Sequence, residues 1–557
     1  MSNILTPVSL WKNFDDSLDT KAETINEKSF DGIKIEYLNL YGRDTGDGRV
    51  KIYAAFATNT TAPADDVVIL LPDSSCTVDE QLMKYFVRCG YSVLMPDYRG
   101  KWKDTENYTV YPESVKYANL AECGRRKDFA DDDASKTSWY EWVAVARYCL
   151  SFLKNREGTG KIGVVGIRDG GEIGWKLAAT ADITCLVTVC AAGWKTYTGY
   201  YKFGSQEPQF DDERYRFMAG IDSQAYAPFV RCPVLMLCST NDERFDYDRA
   251  YDTFSRINEK YAGDSVITYS VHCNGCINVE GTKDMFLFLD KFVRERHVFL
   301  PKPAVITVMA DEEQNLIARA EFDPQGIPEE VGMFMAEDCI DPTAREWVAV
   351  PLKKSEENTR DFYLNIYEKA SSVFAFCYAR YTNGFTVWSR MTVRKISGKF
   401  RNMKKKCRVL FSAKNDADSF SIADRSFALG GIFLTSDAVL PQVVEKGNGL
   451  KGAYSVCGLM TFRGNSPCYA PDDDSILKLD VFCDNPADVN FCMEDMDSGT
   501  KYRTSVHIAG GIWQNVLLES KNFKNDQGMH LAAFNKGKLR FTIMCGEQYA
   551  INNVMWL

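Results

Sequence analysis

The residues able to do chemistry are few, and they cluster in short phrases. Gly166-Ile167-Arg168-Asp169-Gly170-Gly171 follows the apolar run KIGVVG and precedes GEIGWKLAATA, so a strand turns sharply into a helix between closely spaced glycines. In a Gly-x-nucleophile-x-Gly turn the middle side chain is lifted clear of the backbone, beside N–H groups that stabilise an oxyanion. Here the middle residue is Arg168, whose guanidinium stays protonated and cannot attack a carbonyl. Asp169 follows one position late, directly before the glycine pair. Cys273-Asn274-Gly275-Cys276, with His272 beside it, is a C-x-x-C phrase. A structural zinc needs about four ligands and a thioredoxin site needs its own βαβ unit, so two incidental thiols are the expectation. The acidic runs Asp131–Asp133 and Asp472–Asp474 read as solvated loops, and no glycine-rich nucleotide fingerprint occurs. No metal and no cofactor is expected.

The elements that must position these groups begin near residue 30 with IKIEYLNLY, VKIYAAFATN and VVILLPDSS, all rich in β-branched and aromatic residues. Helices then interleave: QLMKYFVRCG, WYEWVAVARYCLSFLKN, GEIGWKLAATA, YDRAYDTFSRINEKY and TKDMFLFLDKFVRER alternate with the strands YSVLMP, KIGVVG, ITCLVTVCAA, CPVLMLCST and SVITYSVH. Such alternation means a mainly parallel sheet covered on both faces, assigned to residues 1–299. From Leu300-Pro301-Lys302-Pro303 the texture becomes short alternating segments, which predict an Ig-like β-sandwich over 300–397 and a jelly-roll sandwich over 398–557. Lys404-Lys405-Lys406 falls in the connection between them and reads as a solvated hinge.

With 557 residues the chain suits roughly three to five domains. A net charge of −10 leaves nothing to neutralise a polyanion, so nucleic acid is not an expected partner. No apolar run approaches the ~18 residues that would span a bilayer, and no secretory signal is legible at the start. A cytoplasmic protein with reduced thiols is the expectation, several of them (Cys185, Cys190, Cys238, Cys483, Cys545) lying inside apolar runs.

The order of elements resembles the α/β-hydrolase superfamily. Gly90-Tyr91-Ser92-Val93-Leu94-Met95-Pro96-Asp97-Tyr98-Arg99-Gly100 looks like the fourth strand and loop of dienelactone hydrolases and acetylxylan-esterase-like proteins, and Trp139-Tyr140-Glu141-Trp142 resembles the latter group. The resemblance covers about the first 300 residues. It implies that Arg168 stands at the nucleophile position and that Asp242, in Ser239-Thr240-Asn241-Asp242, is the triad acid. The last-strand phrase Tyr269-Ser270-Val271-His272-Cys273-Asn274-Gly275 aligns in two ways: His272 is the base, or Gly275 has replaced it. Where the family has a glycine-rich oxyanion loop, this chain has Pro72-Asp73-Ser74-Ser75-Cys76. Three readings stand: a non-catalytic binder or scaffold with a degenerate triad, an ester hydrolase of altered constellation using Asp169, Asp242 and His272, and a binder of a small anion or carbohydrate derivative. Candidate ligand contacts are Arg168, Asp73, Ser74 and Tyr98. In the last domain, which resembles carbohydrate-binding modules, Trp513, Trp556 and Tyr549 could stack on a sugar, though in a sandwich each is more often a core residue. Expected partners are a small ester or carbohydrate-derived molecule, with self-association through an apolar face left open.

Overall fold

The computed structural model describes residues 4–103, 105–413 and 419–557. The chain falls into two compact units. One comprises Met1–Cys238, Arg244–Tyr269 and Gly281–Leu300, and the other Ser239–Glu243, Ser270–Glu280 and Pro301–Leu557.

The first unit is built on strands β1 (Glu23–Phe30), β2 (Ile33–Asp44), β3 (Arg49–Asn59), β4 (Val67–Leu71), β5 (Ser92–Pro96), β6 (Ile162–Ile167), β7 (Cys185–Val189), β8 (Val234–Ser239) and β9 (Val266–Ser270). They form one sheet in the order β1-β2-β3-β5-β4-β6-β7-β8-β9. Pairing is antiparallel through β1, β2, β3 and β5, then parallel from β5 through β4, β6 and β7 to β8. Every residue of β4, β5, β6, β7, β8 and β9 is buried, as continuous apolar strands between two helical layers require. β1 is the reverse: all eight residues are exposed, which is why no alternation announced it in the sequence.

The helices are α1 (Pro7–Trp11), α2 (Glu80–Arg88), α3 (Ser138–Asn155), α4 (Asp169–Thr180), α5 (Asp212–Gly220), α6 (Ser223–Tyr226), α7 (Tyr247–Phe254), α8 (Glu259–Ala262) and α9 (Val279–Phe292). Side-chain caps fix their starts: Asp79 accepts from Gln81 and Leu82 N–H before α2, and Thr137 accepts from Tyr140 N–H before α3. The single helix expected over 247–261 is two, because the chain leaves helical geometry after Phe254 and Asn258 caps a new turn by accepting from Lys260 N–H.

In the second unit, residues 305–395 form a four-stranded and a five-stranded antiparallel sheet, the latter centred on the pair Pro328–Glu337 and Ser372–Tyr381. Residues 409–556 form a six-stranded and a five-stranded sheet, and Leu479, Val481 and Ile551 of one share a single apolar core with Phe491, Phe541 and Ile543 of the other. The chain is thus a multidomain protein joining an α/β sheet to β domains. All eighteen cysteines are free thiols. Among the described residues, no helix is long and apolar enough to cross a membrane.

Candidate functional site

The turn between β6 and α4 has the elbow geometry that the spacing predicted. Arg168 sits at φ 50°, ψ −112°, a backbone conformation an L-residue adopts only under constraint. The constraint is close packing: a Cβ on Gly166 would run into the Gly170 carbonyl, and one on Gly170 into the Leu71 carbonyl at the end of β4. Arg168 N–H donates to the Val189 carbonyl (2.8 Å) and its own carbonyl accepts from Glu172 N–H (3.0 Å), so both flanks of the turn are fixed. Asp169 and Glu172 lie in the first turn of α4, where carboxylates oppose the helix dipole favourably.

Asp169 is held by two lysines that the sequence reading did not select. Lys195 Nζ lies 2.8 Å from Oδ1 and Lys127 Nζ 3.3 Å from Oδ2, while Ser74 donates its hydroxyl to Oδ2 at 2.5 Å. Burial is the largest influence on the Asp169 carboxyl and would raise its pKa, but the two ammonium groups and the Ser74 hydroxyl outweigh it and hold the pKa far below the usual carboxylate range. Asp169 is therefore a fixed anion, a poor base and a nucleophile with both oxygens engaged.

Behind it lies a second buried network. Ser223 donates to Glu172, Ala192 N–H donates to Glu172 Oε1 (2.7 Å), and Lys176 Nζ donates to the Glu172 carbonyl (3.0 Å) and to Ser223 Oγ (3.2 Å). Burial pulls Lys176 down to about 8 against the pull of Glu172 and Asp222, and burial pushes Asp222 up to about 6. Lys176 and Lys195 stand 5.4 and 5.1 Å from the ring centre of Trp139, whose indole N–H donates to the Lys127 carbonyl (2.8 Å). That gives the Trp139-Tyr140-Glu141-Trp142 phrase a structural task. Glu141, at its centre, is buried and paired with Arg43.

The loop after β4 carries the other expected contacts. Asp73 Oδ2 accepts from Ser75 Oγ (2.6 Å) and Arg244 (3.1 Å), while its Oδ1 is buried without a hydrogen bond among the described residues. Tyr98 is sealed from solvent, its hydroxyl donating to the Pro72 carbonyl at 2.6 Å. Neither Asp73 nor Tyr98 therefore offers more than one free polar atom.

Asp242 and His272 belong to the second unit, where the loops after β8 and β9 are laced together. Thr240 N–H donates to the Ser270 carbonyl (3.2 Å), Asn241 N–H to the Cys273 carbonyl (3.0 Å), His272 N–H to Thr240 Oγ1 (3.0 Å) and Gly275 N–H to Ser239 Oγ (3.2 Å). Asp242 is buried and accepts from Ser239 Oγ at 3.2 Å. His272 Nε2 lies 2.5 Å from the Trp347 carbonyl oxygen. A carbonyl oxygen only accepts, so Nε2 keeps its proton there and is no base. Cys273 and Cys276 are buried free thiols in an apolar cluster with Ile422 and Leu434. Among the described residues, no three His, Cys, Asp or Glu side chains gather as metal ligands would.

Trp513 is half-buried, its ring 5.6 Å from that of Phe482 and its N–H donated to the Lys446 carbonyl (3.1 Å). Tyr549 and Trp556 are buried in the sandwich core, where neither presents a face to a sugar.

The sheet order and the elbow make the first unit an α/β-hydrolase-like fold. No protein-family model matches the chain. No curated protein sequence matches it either. Among solved structures it is similar to acetyl xylan esterase 1 from Thermoanaerobacterium, at 17% identity over 46% of this chain and 83% of that one, with a TM-score of 0.34. An acetyl xylan esterase from Paenibacillus is 14% identical over 51% of this chain and 92% of that one, with a TM-score of 0.38. A cold-adapted esterase from an Arctic intertidal metagenomic library is 16% identical over 48% and 98%, with a TM-score of 0.33.

Proposed function

We propose that this chain keeps the frame of a serine hydrolase without its acyl-transfer chemistry and works as a binding or scaffold protein. The observation that carries this reading is Arg168 in the elbow conformation: the backbone that presents a nucleophile presents a guanidinium instead. Two further observations support it. Asp169 is locked as an anion between Lys195 and Lys127, and His272 Nε2 is spent on a backbone carbonyl. The Ig-like and jelly-roll character of the β domains, a cytoplasmic setting and self-association belong to the same reading.

The test is turnover of p-nitrophenyl acetate, p-nitrophenyl butyrate and a model lactone by the pure chain, beside Arg168→Ser. The wild type is expected to be silent and the variant to gain little, since a hydroxyl at 168 would still lack a base. Wild-type turnover abolished by His272→Ala would overturn this reading in favour of an ester hydrolase built on Asp169, Asp242 and His272.

A second reading, a site for a small carboxylate or phosphate, is favoured by charge. Lys127 and Lys195 bring two ammonium groups to the start of α4, where the helix dipole also favours an anion. Phosphate- or acetate-dependent melting that disappears in Lys195→Met would support it, and melting indifferent to both anions would remove it.

A further inference from the structure

The first unit has a concavity lined by none of the elbow residues. β1, β2 and β3 supply one wall, and residues 77–80 with the loop 105–107 supply the other, around a cavity of about 540 Å³. That volume is ordinary for a small-molecule site, for which roughly 300–1,000 Å³ is typical.

Its floor is aromatic. The rings of Tyr37 and Tyr53 lie side by side, centres 6.4 Å apart and planes within 12°. The Tyr37 hydroxyl donates to Glu80 Oε1 at 2.5 Å, and Lys28 Nζ reaches the same oxygen at 2.7 Å while standing 5.2 Å from the Tyr37 ring centre. Lys84 Nζ holds the other oxygen, Oε2, at 3.2 Å. Tyr53 differs. It is only 8% exposed and lines the cavity, yet its hydroxyl has no hydrogen-bond partner among the described residues. The oxygen itself is reached by solvent from the cavity, and a ligand group that accepts from it takes a water's place.

The rim fixes the class of ligand. Asn107 brings an amide that both donates and accepts, as hydroxyl groups require, and Asn26 adds an amide donor, its Oδ1 already accepting from Glu27 N–H at 2.8 Å. Lys28 and Lys84 thus balance Glu80 and Glu106, and the rim gives no advantage to an ion of either sign. We infer that this cavity binds a neutral, hydroxyl-bearing ring compound of mono- or disaccharide size, seated against Tyr37 and Tyr53 with a hydrogen bond to the Tyr53 hydroxyl. The inference does not depend on what Arg168 does.

The experiment is calorimetric titration of the full chain with methyl glucoside, xylose and cellobiose, beside sodium acetate and inorganic phosphate. At least one neutral sugar is expected to bind saturably, and Tyr53→Phe to weaken it by about tenfold, as loss of one hydrogen bond from a site built for it does. Because the removed hydroxyl has no protein partner, Tyr53→Phe should melt at or above the wild-type temperature, which separates lost binding from lost folding. Asn107→Ala, on the exposed rim, is the second variant and should also weaken the sugar. Absence of saturable binding by all three sugars overturns the inference. So does binding that survives both variants, binding lost only in Trp513→Ala, or acetate or phosphate binding that Tyr53→Phe weakens.

Discussion

Ser74 and Asp169, ninety-five residues apart in sequence, meet through a 2.5 Å hydrogen bond that ties the loop after β4 to the first residue of α4. The two segments are fastened to each other, with Lys127 and Lys195 closing the same carboxylate from two further turns.

Asp169→Asn should therefore destabilise the chain by roughly 2–4 kcal/mol, since it leaves two ammonium groups facing an amide, and both are exposed enough for water to offset part of the loss. Lys195→Met should cost less, because Lys127 still answers the carboxylate. Urea midpoints of the two variants measure this, and an asparagine variant as stable as the wild type would refute the assigned network.

The elbow packing predicts a contrast between two glycines. Gly170→Ala drives a methyl group into the Leu71 and Pro72 carbonyls, neither of which can retreat without breaking the sheet, and should cost about 3 kcal/mol or more. Gly263→Ala meets nothing within 4 Å and has an ordinary φ, so it should stay within about 0.5 kcal/mol of wild type. Melting temperatures of the pair decide whether the turn is as tight as described.

Lys176 gives a pH dependence of definite sign. Buried beside Glu172, Asp222 and Ser223, with Lys195 and Asp169 adding opposed charges, it titrates near 8 when folded against 10.5 for an ordinary lysine. Between those values the unfolded chain binds more protons than the folded one, so this group makes stability rise with pH from about 8 toward 10.5. Unfolding midpoints from pH 7.5 to 10 should show that rise in the wild type. In Lys176→Met it should be flattened, and an unaltered slope would contradict the assignment.

Thiol chemistry offers a further check. Cys76 is the exposed cysteine among eighteen free thiols, and burial pushes Cys149, Cys185 and Cys232 far up. A thiol reagent added to the native protein should show one fast phase that Cys76→Ser removes, with the buried thiols reacting on unfolding. Reductant should leave the melting temperature unchanged.

The parallel strands were legible because burial on both faces writes them as unbroken apolar runs, and the elbow because glycine spacing encodes close packing. β1 was not legible, since an all-exposed strand carries no period. Lys127 and Lys195 left no signal either: one closes the short 3-10 turn Gly124–Lys127 and the other opens the turn Lys195–Tyr197, 42 and 26 positions from the carboxylate they meet, and no local pattern encodes such a meeting. Cys273 and Cys276 show the opposite case, a conspicuous spacing whose two thiols lie buried in an apolar cluster.

One feature of the second unit bears on how the chain is made. Asn241 donates its amide to the carbonyls of Thr343 (3.2 Å) and Arg345 (2.8 Å), and His272 to that of Trp347, anchors lying 102, 104 and 75 residues further along. At about 5–20 residues per second of synthesis, the loops bearing Asp242 and His272 wait on the order of ten seconds for those carbonyls to leave the ribosome. During that interval the two loops are laced to each other through Thr240, Ser270, Asn241 and Cys273, and they gain the Thr343, Arg345 and Trp347 carbonyls as that segment emerges.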